Sequence, residues 1–150
     1  MNLDRAEHVT MGSIRVGIDL VHVPDVSASI EEFGDRYLRR VYSPGELAAC
    51  TASDGRVRAD RLAARFAAKE AVIKALRPGY GVDYRTIDVV TGSDGGPSID
   101  LSGCSRLAAT SRIVSASVSL SHDGSYASAV YVALTDEPST GHENHIGEPR

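Results

Sequence analysis

Apolar and polar residues alternate with period two through "SIRVGIDLV", where Ile14, Val16, Ile18 and Leu20 take one side and Arg15, Gly17 and Asp19 the other. That pattern predicts a half-buried strand. Pro24 argues against its continuing as a central strand. From Val26 the period changes: Val26, Ile30, Phe33, Tyr37 and Val41 recur at helical spacing, with a break expected at Gly34. "SPGEL" reads as a turn and the start of a short helix holding Glu46. The segment Asp60 to Leu76 carries the strongest helical signal. Asp60 is placed to cap it, Leu62, Phe66, Ile73 and several alanines form its packing side, and "RPGYG" stops it. "TIDVVTG" and "SIDLSG" read as short strands around the turn "SDGGPS", and "SRLAATSR" as a short helix. "IVSASVSLSHDGSYASAVYVAL" reads as strand, Asp-Gly turn and strand, with Ser117, Ser119 and Ser121 opposite Val118 and Leu120. Helices mixed with strands and a closing hairpin predict an α+β fold with a largely antiparallel sheet.

A chain of 150 residues suits one domain. The pattern divides it into a flexible N-terminal extension at 1–12, a folded domain at 13–135 and a disordered tail at 136–150. The tail's His142 and His145 sit in no helical or strand frame. With 42% hydrophobic and 24% charged residues the composition is that of a folded protein. No apolar run approaches the roughly 20 residues that span a bilayer, and the polar start "MNLDRAEHVTMGS" has no signal-peptide core. Cys50 and Cys104 lack metal or redox spacing and are expected to be free thiols, which places the chain in the cytoplasm. A net charge of -4 disfavours a nucleic-acid binder. Against that total, Arg56, Arg58, Arg61, Arg65, Lys69, Lys74 and Arg77 face only Asp60 and Glu70 in one stretch, which would attract a polyanionic ligand or an acidic partner.

Three fragments carry candidate chemistry. Asp19 leaves an apolar strand with Gly17 two residues back on the same face, where a missing side chain leaves room for a ligand; the alternative is a strand-end carboxylate bonded to backbone. Glu70 and Lys74 share a helix face at i,i+4 beside a basic stripe of Arg61, Arg65 and Lys69. They are either a surface ion pair or a metal contact and a phosphate contact. Ser121 and His122 end a strand just before a turn, where polar groups converge. Adjacent residues in a strand point to opposite faces, so these two make a poor nucleophile–base pair, and there is no G-x-S-x-G elbow. His122 fits better as a phosphate or water contact or a helper in proton transfer. No Walker loop, dinucleotide fingerprint or H-E-x-x-H is present. Two carboxylates with water match the protein's share of a Mg²⁺ site, which substrate phosphates complete.

"VGIDLVHV", "RFAAKEAVIKAL" and "SVSLSHDGSYASAVYVAL", in that order and spacing, resemble the holo-[acyl-carrier-protein] synthase family of small 4'-phosphopantetheinyl transferases. "RRVYSPGE" and "GGPSIDLSG" extend the similarity, which covers about Arg15 to Leu134. The resemblance implies a 4'-phosphopantetheinyl transferase-like fold, homotrimeric, in which an antiparallel sheet packs with a long helix and the sites lie between subunits. It implies transfer of phosphopantetheine from coenzyme A to a serine of an apo acyl carrier protein, releasing adenosine 3',5'-bisphosphate. Asp19 and Glu70 match the acidic Mg²⁺ ligands and Lys74 the lysine near the transferred phosphate. His122 matches the coenzyme-A segment, and Ser121, Arg65 and Lys69 are counted with Lys74 as coenzyme contacts. Glu70, a metal-bound water or a carrier-protein carboxylate is available to accept the proton, with Glu70 acting through water favoured. The resemblance leaves open whether the carrier serves fatty-acid synthesis, a polyketide pathway or another assembly line. The chain departs from the family where many relatives place a glutamate and an arginine three and six residues after the first aspartate; here stand His22 and Asp25. That departure bears on carrier docking, for which Arg15, Arg36, Arg39 or Arg40 offer compensation. It also leaves a second reading, a catalytically weak accessory domain that binds coenzyme A or a carrier protein.

Overall fold

The computed structural model describes residues 12–110 and 112–136. The expected extension and tail, with His142 and His145, lie outside the described residues. Strand β1 (Ser13–His22) leads into helices α1 (Val23–Phe33), α2 (Asp35–Val41), α3 (Pro44–Cys50) and α4 (Ala59–Leu76). A single 3-10 turn at Tyr84–Thr86 precedes the strands β2 (Asp88–Thr91) and β3 (Pro97–Asp100). Helix α5 (Ser105–Thr110) and the long hairpin β4 (Ile113–Asp123) and β5 (Tyr126–Thr135) complete the order. β5 lies in the middle of an antiparallel sheet ordered β1-β5-β4, and β2 pairs with β3 in a separate ribbon. The fold is α+β, with α4 laid across one face of the larger sheet.

Local chemistry explains the boundaries. Gly34 adopts φ 53, a conformation that costs a side-chain-bearing residue, and this separates α1 from α2. Ser43 and Glu46 form a reciprocal capping box at the start of α3. The N-cap of α4 is Arg58, not Asp60; Asp60 sits inside the first turn and pairs with Arg58 at 2.8 Å. Arg77 ends α4 in the left-handed region. Cys50 and Cys104 are buried and unpaired. No helix among the described residues is long and apolar enough to cross a membrane.

The alternation in β1 holds, but the buried side is the one that carries Gly17. Its apolar row, Ile14, Val16, Ile18 and Leu20, is 59–70% exposed, while Gly17 packs on α4. A Cβ at Gly17 would lie 1.9 Å from the Ala71 carbonyl oxygen and 2.8 Å from the Ala75 nitrogen. The room at Gly17 is therefore taken by the helix backbone, and none is left there for a ligand. Small residues line both sides of the contact: Ala63, Ala64, Ala67, Ala68, Ala71 and Ala75 on α4 meet Ala127, Ala129 and Ala133 on β5, all buried. Small side chains bring helix and sheet close, at the cost of tolerating no added atom.

A second contact ties the other side of α4. Lys69 and Glu46 are both fully buried and 2.8 Å apart. Lys69 Nζ also donates to the backbone carbonyls of Tyr84, at 2.8 Å, and Ile87, at 2.6 Å. Glu46 accepts from the backbone N–H groups of Ser43 and Val89. Burial pulls the Lys69 ammonium below its ordinary pKa, against the Glu46 carboxylate that favours its charged form. Each charge is met by hydrogen bonds, the condition under which a buried pair is tolerated.

Two stability measurements follow from these contacts. Gly17→Ala is expected to cost about 3 kcal/mol, the upper part of the overpacking range. In a thermal melt that is a fall of about 6–12 °C, and an unchanged midpoint would show that the helix is not seated on β1. Lys69→Met leaves Glu46 buried without its counter-charge and should cost about 3–5 kcal/mol in urea unfolding, with Glu46→Leu added to it restoring most of the loss. A single variant as stable as the parent would contradict the buried pair.

Candidate active site

Asp19 projects from β1 toward α4, two residues beyond the close approach at Gly17. Its side chain is 15% exposed, and Lys74 Nζ donates to Asp19 Oδ1 at 2.6 Å. The same ammonium donates to the Ile18 carbonyl at 3.1 Å. Lys74 is thus drawn to the strand, and the i,i+4 ion pair with Glu70 considered from spacing is replaced by this one. Glu70, one turn earlier and half-buried, accepts from the Tyr84 phenol through Oε1. The Tyr84 ring stacks on Phe66, with centroids 5.7 Å apart and planes 11° from parallel. Burial, and then the hydrogen bond to Glu70, push the Tyr84 phenol above its ordinary pKa, so it remains a donor.

Asp19 and Glu70 open on one concavity of about 410 Å³, whose wall also includes His22, Asp25, Tyr37 and Phe66. His22 Nδ1 donates to Asp25 Oδ1 at 3.1 Å, and its ring packs on Tyr126 with centroids 5.1 Å apart. The two residues that depart from the family pattern therefore contact each other at the mouth of the site. A second concavity, of about 730 Å³, is lined by Tyr84 and walled by Arg36, Arg39, Arg40, Arg85 and the Asp83 that pairs with Arg85.

The remaining candidates are distributed unevenly. Lys69 is withdrawn as a coenzyme contact: its ammonium faces Glu46 in the core with no exposed surface, although it neighbours Glu70 in sequence. Arg65 is partly buried, and its Nε is a buried side-chain donor without a partner among the described residues. Ser121 and His122 both lie exposed on β4, the edge strand opposite β1. Ser121 is in register with Ser128 and Leu20, on the face away from α4; His122 is in register with Ala127 and Val21, on the α4 side. The whole of β5 separates them from Asp19, so a single chain does not gather all the fragments. Tyr84 was not singled out by sequence pattern, because its link to Glu70 is made through a loop rather than a period.

The donor set fits a hard divalent cation. Asp19 keeps Oδ2 and Glu70 keeps Oε2 beyond the bonds described, both oxygens of the kind Mg²⁺ prefers. No three His, Cys, Asp or Glu side chains among the described residues are placed to share an ion. Asp19 and Glu70 would supply two oxygens to such a cation, with water and substrate phosphate left to complete it.

Comparison with known proteins identifies the family and the fold. The 4'-phosphopantetheinyl transferase superfamily matches residues 15–131. The holo-[acyl-carrier-protein] synthase of Gloeobacter violaceus is 48% identical over 118 residues, covering 77% of this chain and 88% of that protein. The enzyme of the same name from Desulforudis audaxviator is 40% identical over 121 residues, covering 79% and 91%. Among solved structures, Helicobacter pylori holo-[acyl-carrier-protein] synthase in complex with coenzyme A superposes with a TM-score of 0.67 at 32% identity, over 79% of this chain and 98% of that one. The Chronobacterium ammoniagenes ACPS-CoA complex gives 0.68 at 31% identity, over 82% and 98%. With the sequence matched from its first strand almost to its last, and the same fold around it, the chain belongs to the holo-[acyl-carrier-protein] synthase family of 4'-phosphopantetheinyl transferases.

Proposed function

We propose that this chain carries out the family's reaction at the Asp19–Glu70 cleft, with Mg²⁺ held by those two carboxylates. It transfers the 4'-phosphopantetheine group of coenzyme A to a serine of an apo acyl carrier protein and releases adenosine 3',5'-bisphosphate. The observation that carries the reading is the convergence of Asp19 from β1 and Glu70 from α4 on one open cleft, with Lys74 of α4 bonded to Asp19. The serine hydroxyl attacks the β-phosphorus of the coenzyme A diphosphate; a new P–O bond forms as the bond to the bridging oxygen breaks. Bound Mg²⁺ would neutralise the charge that develops on the diphosphate. Lys74 Nζ has three donor hydrogens, gives two to Asp19 Oδ1 and the Ile18 carbonyl, and keeps one for the transferring phosphoryl group. The serine proton leaves to a water held against Glu70. Arg65, partly exposed beside Phe66, offers its guanidinium to a coenzyme phosphate. The arginines of α2 together with Arg85 give the carrier a cationic wall beside the cleft, where Asp25 supplies none. The cytoplasm, where the two thiols Cys50 and Cys104 stay unpaired, is the compartment this reading assigns to the reaction.

The site is completed between copies in a homotrimer. Ser121 and His122 lie too far across the sheet to serve their own Asp19, and reach the coenzyme bound by a neighbour. The surface that supports this assembly is the open face of the sheet: Ile14, Val16, Ile18 and Leu20 on β1 continue into Val132 and Leu134 on β5. An apolar patch of that continuity marks an interaction surface.

Incubated with apo carrier protein, coenzyme A and Mg²⁺, the protein should add the mass of one phosphopantetheine to the carrier. Asp19→Asn and Glu70→Gln should each slow transfer by about 10²–10³-fold. Carrier binding without any mass gain across a panel of carriers would instead describe an accessory domain. Light scattering should give three chains per particle, and Val16→Asp should reduce it to one; a monomeric parent would exclude the shared site.

A further inference from the structure

We propose that Tyr84 is a positioning residue that leaves Glu70 one free carboxylate oxygen, and that the cleft thereby selects a small octahedral cation over a larger one. The inference deepens the reading of the Asp19–Glu70 cleft as a divalent-cation site and rests on it. Three restraints fix Tyr84. Its phenol donates to Glu70 Oε1. Its ring stacks on Phe66, which stands one turn before Glu70 on α4. Its carbonyl accepts from Lys69 Nζ, an ammonium that the buried Glu46 carboxylate holds in place. The turn around it is closed as well: Lys69 also binds the Ile87 carbonyl, and Thr86 Oγ1 donates to the Asp83 carbonyl at 2.6 Å. The phenol is therefore a donor on a rigid mount, unable to follow Glu70 if the carboxylate turns.

Asp19 is arranged in the same way, since Lys74 Nζ occupies its Oδ1. Each carboxylate of the pair meets a cation with a single oxygen, and bidentate binding by either would break a charge-assisted hydrogen bond. Ca²⁺ takes six to eight oxygens and readily accepts bidentate carboxylates; Mg²⁺ takes six at shorter distance, one from each carboxylate, and keeps its waters. The donor on each carboxylate thus handicaps the larger ion more than the smaller. Lys74 has its own place near the phosphate and is half exposed, whereas Tyr84 is fixed, so the fixed restraint falls on Glu70.

Tyr84→Phe removes the phenol and keeps the ring. The full-length protein, saturated with coenzyme A, is titrated calorimetrically with MgCl₂ and separately with CaCl₂, and steady-state transfer is measured in Mg²⁺. The parent should bind Mg²⁺ more tightly than Ca²⁺. In the variant the ratio of the two affinities should fall by about tenfold, the worth of one hydrogen bond to a charged group. kcat should fall with it while KM for coenzyme A and the melting temperature hold. Tyr84→Trp, which also keeps an aromatic ring without the phenol, should repeat the result and serves if the first variant folds poorly. An unchanged Mg²⁺-to-Ca²⁺ ratio, or equal losses for both ions together with a lower melting temperature, overturns the proposal. A parent with a Mg²⁺ preference but no transfer would overturn the enzymatic reading and leave the role of Tyr84 standing; a parent without the preference overturns the role itself.

Discussion

The close approach of α4 to β1 at Gly17 is the contact on which the rest of the molecule depends. The helix backbone lies where a Cβ would be, against the strand between Ala71 and Ala75. Lys74 is on the turn between those alanines, and Asp19 is the next residue of the strand on the same face as Gly17. Their 2.6 Å contact is therefore a consequence of how deeply the helix sits. Glu70, one turn toward the N-terminus, is carried to the same edge of the sheet. Two elements that meet through small residues thus place a carboxylate pair and a lysine with little freedom to drift, which phosphoryl transfer by positioning and charge requires.

The buried Glu46–Lys69 pair orients the other half of the site. An apolar pair of similar volume can be as stable as a buried ion pair, so stability alone does not account for its place. Its hydrogen bonds run to backbone: Lys69 to the carbonyls of Tyr84 and Ile87, Glu46 to the N–H groups of Ser43 and Val89. An apolar pair would leave these four groups to find other partners. The ionic pair therefore sets where the turn at Tyr84–Thr86 and the start of β2 lie relative to α4, and with them the aromatic pair beside Glu70.

Much of the fold was legible because it rests on local periodicity. The alanine-rich helix, the break at Gly34 and the Asp-Gly hairpin each follow from patterns within a short window. What alternation in β1 does not give is direction: period two fixes that Ile14, Val16, Ile18 and Leu20 share a face, and not that the face is left open. Gly17 was the signal, since a strand glycine marks close backbone approach as well as ligand space. Lys69 also carried a readable sign. It stands seven residues after Leu62 and three before Val72, where the row of Arg61 and Arg65 runs into the buried seam of α4. Its charge outweighed its position in the pattern. Asp19 and Glu70 were legible as chemistry through family resemblance, and the distance between Asp19 and His122 across β5 was not, because strand order is a non-local property.

That strand order makes one consequence of the proposed function testable: the carboxylate pair of one copy works with Ser121 and His122 of another. The direct measurement is complementation between inactive variants. Glu70→Gln and His122→Ala chains, each inactive alone, are co-expressed so that mixed particles form, and transfer of phosphopantetheine to an apo carrier is measured. Return of activity in the mixture, from sites that draw their intact halves from different chains, is the predicted result. A mixture that forms mixed particles and stays as inactive as either variant would contradict it.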